Sequence, residues 1–275
     1  MDYSIKNNDI ILSEKDFNLD ETLDCGQAFR WKKIESDYLC TYEGSFFNNK
    51  LMISEKSTGE FIFHNVSEAD FLGIWADYFD LYTDYSQLKI MFSEDETLSK
   101  ACNFAGGIRL LRQNSWECLI SFIISQNNNI PRIKGIIDRL CSNYGGFPTA
   151  EQMNGVTADD LSYLRSGFRG KYLAHAAECV NSGEIVMSEI AKAPIDEART
   201  ALKKIKGVGP KVAECILLFG MHRTEAFPVD VWIKRVLEEY YPNGFPEYLK
   251  ENGGIAQQYL FHYIRNKPEK SANDM

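Results

Sequence analysis

The sequence has no Cys-x-x-Cys pair, although it contains seven cysteines, at positions 25, 40, 102, 118, 141, 179 and 215. Without that spacing, the chain carries neither the ligand pattern of a zinc ribbon nor that of an iron–sulfur cluster. The odd number and the wide separations also fit poorly with a framework of disulfides. We therefore expect reduced, mostly buried thiols in a protein that stays inside the cell.

Long apolar runs are also missing. No stretch approaches the roughly 20 apolar residues that a membrane-spanning helix needs, and the first residues, MDYSIKNNDIILSEKD, mix charges with apolar residues instead of forming the apolar centre of a signal peptide. The hydrophobic fraction of 44% still suffices for a packed core. We expect a folded protein with no membrane partner, in one large or two modest domains.

The protein has no overall excess of positive charge, because its formal net charge is −9. The charge is unevenly distributed, however: residues 1–100 hold 9 basic and 20 acidic side chains, and residues 101–275 hold 21 and 19. The second part contains two basic clusters, which are Arg199, Lys203, Lys204, Lys206 and Lys211, and Arg165, Arg169 and Lys171. Such clusters are either solvated helix faces or contacts for phosphates.

The period of the apolar residues changes along the chain. Short aromatic and β-branched segments at 28–34, 37–44, 50–55 and 61–66 predict an antiparallel sheet, because their connections are too short for parallel crossovers. From Ser67 onwards the pattern is helical, and many of the predicted helices stop at Gly or Asn. The predicted fold class is α+β, with a sheet domain and first helices over 1–98, a helical domain over 99–275 and a frayed polar tail, KPEKSANDM.

The most informative segment joins two predicted helices through Lys206-Gly207-Val208-Gly209-Pro210. Two glycines without β-carbons allow a close approach to the backbone, and the N–H groups at the start of the second helix suit a DNA phosphate. Lys211 follows in the first helical turn among apolar neighbours, where an ammonium is poorly solvated and a neutral, nucleophilic amine is favoured. The alternative for Lys211 is a surface lysine that contacts phosphate.

Asp230 stands in Phe227-Pro228-Val229-Asp230, immediately before a predicted helix. An aspartate at this place caps the helix by accepting backbone N–H bonds. A carboxylate paired with a lysine nucleophile also stabilises an oxocarbenium-like sugar and assists proton transfer. Both roles are compatible with each other.

Several separated motifs of the chain, from Cys25 to His262, resemble the 8-oxoguanine DNA glycosylases of the helix–hairpin–helix (HhH-GPD) superfamily, in the branch typified by the human enzyme. These motifs are CGQAFRW (25–31), GIRLLRQNSWECLISFIISQNNNIPRI (107–133), SGFRGKY (166–172), GVGPKVAEC (207–215), PVD (228–230) and GIAQQYLFH (254–262). The resemblance implies a bifunctional glycosylase and abasic-site lyase of base-excision repair, with the helix–hairpin–helix at about 198–220. Lys211 would be its nucleophile and Asp230 its catalytic carboxylate.

The resemblance also assigns the residues that read the extruded base. The Gly26 carbonyl would accept the N7–H that 8-oxoguanine has and guanine lacks, and Gln257 would bond the Watson–Crick edge. Cys215 and Phe261 would enclose the two faces of the base; without the resemblance, both would be read as core residues. Their spacing agrees, because Lys211 and Cys215, like Gln257 and Phe261, are i,i+4 neighbours on a helix.

A further set of residues would act on the rest of the duplex. Asn127 matches the residue that enters the stack, although three consecutive asparagines also suit a plain polar turn, and Arg132 and Arg169 match readers of the orphaned cytosine. Gly207, Val208 and Gly209 would contact phosphate. The chain departs from the family at Phe168, where a tyrosine is usual, which leaves the opposite-base preference open. The link over 144–148 is also shorter than usual.

The resemblance implies double-stranded DNA containing 8-oxoguanine as the partner. The enzyme would be a monomer, located in the cytoplasm or nucleoid of a bacterium or in the nucleus of a eukaryote. No organic cofactor is implied, although the hairpin carbonyls could hold a structural cation. Two other functions stay open: another glycosylase of the same superfamily, against which the absence of cysteines after Cys215 counts, and a DNA-binding module without catalysis.

Overall fold

A computed structural model describes residues 1–267 of the 275-residue chain. Residues 268–275, which include most of the tail expected to fray, lie outside the described part. None of the helices in residues 1–267 has the length and apolarity required to cross a bilayer.

The N-terminal part forms one antiparallel sheet of six strands in the order β1-β2-β6-β5-β4-β3. The strands are β1 (Asp2–Lys6), β2 (Asp9–Ser13), β3 (Trp31–Ile34), β4 (Cys40–Phe46), β5 (Asn49–Ser57) and β6 (Glu60–His64). The four strands expected from the sequence are present with shifted ends, which confirms the predicted antiparallel sheet. The hairpin of β1 and β2 was not predicted.

The helices follow mostly the predicted segments. Their bounds are α1 (Leu19–Leu23), α2 (Glu68–Asp70), α3 (Ala76–Tyr78), α4 (Tyr85–Phe92), α5 (Glu96–Phe104), α6 (Ser115–Ser125), α7 (Ile130–Tyr144), α8 (Arg169–Asn181), α9 (Met187–Ile190), α10 (Ile195–Leu202), α11 (Pro210–Cys215), α12 (Val231–Tyr240) and α13 (Gly253–Asn266). Two π-helical turns, Phe71–Trp75 and Ile216–Gly220, extend α2 and α11, and short 3₁₀ turns lie at Glu151–Met153, Ser162–Leu164 and Glu247–Asn252. Together with the sheet, they make the fold α+β, as predicted.

Polar caps start the helices that matter for the site. The side chain of Asn114 accepts the Glu117 N–H at the start of α6, and that of Asn129 accepts the Arg132 N–H at the start of α7. Each cap satisfies one of the backbone donors that a helix start leaves free. At its other end, α7 stops at Gly145 with φ +71°, so the short link after it is a tight turn.

Two hydrophobic cores divide the chain. One lies between the sheet and the helical turns over Glu68–Tyr78, and it includes Leu81 and, from further along the chain, Leu111. The other includes Tyr85 and Leu98 and extends through the C-terminal helices. Apart from Phe29, which belongs to the helical core, and Leu111, the cores separate between Leu81 and Tyr85, and α4 packs with the helical part. The boundary proposed at residue 98 stays a prediction.

Candidate active site

One small cavity brings together the residues predicted for catalysis and for base reading. Its walls contain all six of them: Lys211, Asp230, Gly26, Cys215, Gln257 and Phe261. Five further residues complete it, namely Cys25, Phe122, Phe219, Pro228 and Gln258. Segments more than 200 residues apart in the sequence thus meet at one place, with a lysine and an aspartate on the same cavity.

Lys211 projects from the first turn of α11 into largely apolar surroundings. Its Nζ lies over the ring of Phe122, 5.2 Å from the centroid, and that ring stacks on Phe219 at a centroid distance of 5.2 Å. Burial raises the pKa of the Cys215 thiol, while the neighbouring Lys211 acts in the opposite direction. Cys215 is therefore a neutral, apolar wall of the cavity beside the amine.

Asp230 occupies the N-cap of α12. Its Oδ1 accepts hydrogen bonds from the backbone N–H groups of Trp232, at 3.0 Å, and Ile233, at 2.9 Å. These bonds fix the orientation of the carboxylate. The cap expected from the sequence is present, and the same carboxyl group faces the cavity with Lys211.

Gly26 presents its backbone to the cavity. Its φ is +89°, a value that glycine adopts readily and L-amino acids rarely adopt. Within residues 1–267, no donor forms a hydrogen bond with its carbonyl. The next residue, Gln27, is fully buried and fixed on all sides: its Nε2 donates to the carbonyls of Thr22 and Arg109, and its Oε1 accepts the Leu111 N–H. These bonds fix Gln27, and with it the backbone of the neighbouring Gly26, against the helical part.

Gln257 and Gln258 lie side by side on α13, and both are buried. The Nε2 of Gln258 donates to the Oε1 of Gln257 at 2.7 Å, which orients one of the two amides that face the cavity. Phe261, one turn further along α13, is only partly buried and lies under the guanidinium of Arg265. It also lines a neighbouring cavity of about 390 Å³.

The free volume of the cavity is about 50 Å³. A cavity of roughly 150 Å³ is known to admit one benzene molecule, and a water molecule occupies roughly 30 Å³ in the liquid. A purine has two rings, so the walls must move before a base can enter. Phe261 and Cys25 are the wall residues that also line the neighbouring cavity.

The hairpin between α10 and α11 has the predicted form but uses its three residues differently. Gly207 adopts φ +87°, and a β-carbon there would lie 2.3 Å from the Tyr172 ring. Val208 is buried and its N–H donates to the Ile205 carbonyl, so this N–H is engaged within the hairpin. Gly209 has open space around it and forms the N-cap of α11. In this geometry, the open approach for a phosphate is at Gly209.

The residues predicted to act on the duplex form a second group beside α7. Asn127, with φ +54°, Arg132 and Phe168 are exposed. Arg169 is buried instead: its guanidinium donates to the carbonyls of Gln126 and Ser166 and lies 4.5 Å from the centroid of Phe168. Arg169 therefore supports the loop that carries Asn127, while the exposed Arg132 donates to the Arg165 carbonyl at 3.3 Å.

Comparison with known proteins agrees with this geometry. The profile of the 8-oxoguanine DNA glycosylase N-terminal domain matches residues 9–119, and that of the HhH-GPD superfamily of base excision DNA repair proteins matches residues 120–249. A probable N-glycosylase/DNA lyase of Methanothermobacter thermautotrophicus is 31% identical over 70% of this chain and 73% of its own length. The chain belongs to the 8-oxoguanine DNA glycosylase family.

Solved structures extend the family likeness to the whole fold of this glycosylase. The 8-oxoguanine glycosylase/lyase of Clostridium acetobutylicum, in complex with double-stranded DNA, has a TM-score of 0.86 and 36% identity, over 96% of this chain and 99% of that one. A protein named MBOgg1, in complex with a low-affinity DNA ligand, has a TM-score of 0.88 and 39% identity, with coverages of 96% and 99%.

Some supporting residues of this glycosylase could not be recognised in the sequence. Phe122 and Phe219 belong to apolar helical runs in which nothing separates a cavity wall from the core. Gln27 is the one supporting residue for which the sequence gives a weak indication. A glutamine between Gly26 and an apolar segment needs hydrogen-bond partners when it is buried, which indicates a structural role. The predicted roles of the site residues themselves stay predictions, but the fold places the catalytic and base-reading residues around one cavity.

Proposed function

We propose that this glycosylase excises 8-oxoguanine from duplex DNA and then cleaves the strand at the resulting abasic site. The observation that carries the proposal is that Lys211 and Asp230 share a cavity with the backbone of Gly26, whose carbonyl accepts no hydrogen bond within residues 1–267. A flipped nucleotide would bring its C1′ between the amine and the carboxylate. The relative from Clostridium acetobutylicum has been solved with DNA containing cytosine opposite 8-oxoG, which supports the same substrate.

In the proposed reaction, the amine of Lys211 forms a bond to C1′ as the C1′–N9 bond breaks. The electron pair of that bond leaves with the base, which takes up a proton, and Asp230 stabilises the positive charge that develops on the sugar. The nitrogen now bonded to C1′ gives up its two protons, one to the departing base and one to O4′ as the C1′–O4′ bond breaks. The sugar ring opens and an imine remains. Loss of a C2′ proton expels the 3′ phosphate, and hydrolysis of the imine frees Lys211.

Lesion recognition would rest on the Gly26 carbonyl. The N7–H of 8-oxoguanine donates to it, whereas guanine places a lone pair there, at a cost of roughly 1–3 kcal/mol for an unsatisfied buried group. Gln257 would bond the Watson–Crick edge, and Cys215 and Phe261 would pack on the faces of the base. Asn127 would fill the vacated position in the stack, which offsets part of the cost of extrusion.

The substrate would place this enzyme with the genome inside the cell, in the nucleoid of a bacterium or the nucleus of a eukaryote. We propose that the enzyme is a monomer. It needs no organic cofactor, because the amine of the lysine is itself the nucleophile. A structural cation at the hairpin would have to use its main-chain carbonyls; those of Ile205 and Gly209 already accept N–H bonds from Val208 and Ala213.

Reduction with borohydride tests the proposal directly. The wild-type protein should form a covalent adduct with a duplex containing 8-oxoguanine opposite cytosine, because borohydride reduces the imine to a stable amine. Lys211→Gln should bind the duplex and form no adduct, while Lys203→Gln, in the same basic cluster, should form it normally. If the wild-type protein gives no adduct and Lys211→Gln changes nothing, the chain only binds DNA.

A further inference from the structure

One lysine holds both ends of the segment that carries Gly26. The Nζ of Lys134, on α7, donates to the Oδ1 of Asp24 at 3.2 Å and to the main-chain carbonyl of Trp31 at 3.1 Å. Asp24 is two residues before Gly26, and Trp31 is the first residue of β3. A single ammonium group therefore joins the two ends of the loop over 25–30.

The contact belongs to a continuous stripe on α7. Ile130, Lys134 and Asp138 are spaced by four residues and so lie on one face of the helix. A β-carbon on Gly26 would be 3.6 Å from the Cδ1 of Ile130, and Asp138 forms an ion pair with Lys32 at 3.1 Å. The segment from Asp24 to Lys32 thus lies along two turns of α7.

The first turn of the same helix carries residues proposed to act on the duplex. Asn129 caps α7, Asn127 lies two residues before it, and the exposed Arg132 lies within the first turn. One rigid helix therefore contacts both the loop that would enter the base stack and the loop that would read the lesion.

We propose that Lys134 is a positioning residue for lesion recognition, which holds the Gly26 carbonyl in register with α7 so that it meets the N7–H of the flipped base. The inference rests on the proposed function and adds to it a residue that contacts neither DNA nor the reacting atoms. Gln27 fixes the loop from the buried side, and Lys134 closes it from the outer side, where its side chain is 23% exposed.

Loss of Lys134 should affect recognition of the base and leave cleavage of an abasic strand largely unchanged. Without the clamp, the loop ends are free to separate, and the carbonyl no longer meets the N7–H at hydrogen-bond distance. Excision of 8-oxoguanine depends on that contact, whereas cleavage of a strand that already lacks the base depends on Lys211, Asp230 and DNA binding alone. The two activities should therefore respond differently to the loss of Lys134.

The test measures kcat and KM for Lys134→Met on two duplexes, one with 8-oxoguanine and one with an abasic site, each opposite cytosine. We expect kcat/KM on 8-oxoguanine to fall about tenfold, as for small displacements in other sites, with less than about a twofold change on the abasic duplex. Lys134→Arg keeps a cationic donor and should restore most of the excision. Asp24→Asn, which weakens the same clamp from the exposed side, should reproduce the loss in part.

The matched control is Lys32→Met. It removes one positive charge and one contact with α7 from the same segment, but Lys32 lies outside the clamped loop, so excision should be unchanged. Equal losses for Lys32→Met and Lys134→Met, equal losses on both duplexes, or no loss in a folded Lys134→Met would overturn the inference. An inactive wild-type protein would instead contradict the proposed function, so the two failures are distinguishable.

Discussion

At the scale of single residues, Gly26 has a backbone conformation that other residues reach only with strain. Its φ of +89° would cost an alanine about 1–3 kcal/mol. Space is not the obstacle, since the nearest atom to an added β-carbon, the Cδ1 of Ile130, lies at 3.6 Å. We expect Gly26→Ala to relax by turning the peptide and moving its carbonyl, so that excision of 8-oxoguanine falls more than affinity for the abasic duplex.

Gly73→Ala is the control for this change, because nothing lies within 4 Å of the added carbon there and φ is not positive. Kinetics on both duplexes, together with the melting temperature, check the prediction. A parallel decline of excision and abasic-duplex affinity in Gly26→Ala would count against a base-reading carbonyl.

One substitution of Asp230 separates the helix cap seen in the structure from the proposed catalytic role. Asparagine also caps helices, so Asp230→Asn should retain the bonds to Trp232 and Ile233 and leave the melting temperature within a few degrees of the wild type. Excision should still fall about 10²–10⁴-fold, because the charge that assists the reaction is gone. Asp230→Ala should lose about 1 kcal/mol of stability in addition. Full activity in the asparagine variant would restrict Asp230 to capping.

At the scale of secondary-structure elements, the hairpin between α10 and α11 offers a matched pair of glycines. Gly209→Ala should fold normally, because its φ is −89° and no atom lies within 4 Å, and should weaken DNA binding where the backbone approaches a phosphate. Gly207→Ala should lower stability itself, because φ is +87° and the new carbon would overlap the Tyr172 ring. Melting curves and salt-dependent binding distinguish the two. Unchanged binding in Gly209→Ala would remove the hairpin from the DNA contact.

The elements show why the sequence predicts some features and not others. Local signals were sufficient for α7, because Asn129 and Gly145 mark its two ends in the sequence itself. They were insufficient for β1 and β2, whose turn depends on Asn7 at φ +57° and whose pairing with β6 is a distant contact. The buried N–H of Val208 and the burial of Arg169 likewise depend on tertiary neighbours, Ile205 and Gln126, which the spacing of residues does not reveal.

At the scale of the whole molecule, a buried ion pair joins the sheet region to α6. Arg30 contacts Glu117 at 3.0 Å, and Glu117 also accepts the Phe47 N–H. Burial raises the pKa of Glu117 from 4.5 to about 7, although Arg30 opposes the shift. The folded protein therefore binds this proton more tightly than the unfolded chain, and stability present below about pH 4.5 is lost as the pH rises through about 7.

We expect Glu117→Gln to flatten the dependence of the melting temperature on pH between about 4.5 and 7, since the titrating group is gone. The contribution removed is on the order of 3 kcal/mol across that window. Glu43→Gln, at an exposed position on β4, should leave the slope unchanged. A slope equal to that of the wild type in Glu117→Gln would assign the pH dependence to other groups.

The narrow space beside Lys211 has a consequence for the selectivity of the enzyme between duplex DNA and free nucleotides. Free guanine nucleotides are purines too, and a permanently open slot would be occupied by them. We expect a slot of about 50 Å³ to admit such free purines poorly. A base on a duplex differs from a free nucleotide, because contacts with the DNA phosphates contribute additional binding free energy. That free energy can offset the cost of moving the walls apart. We therefore expect free guanine nucleotides to compete weakly with duplex DNA for this site.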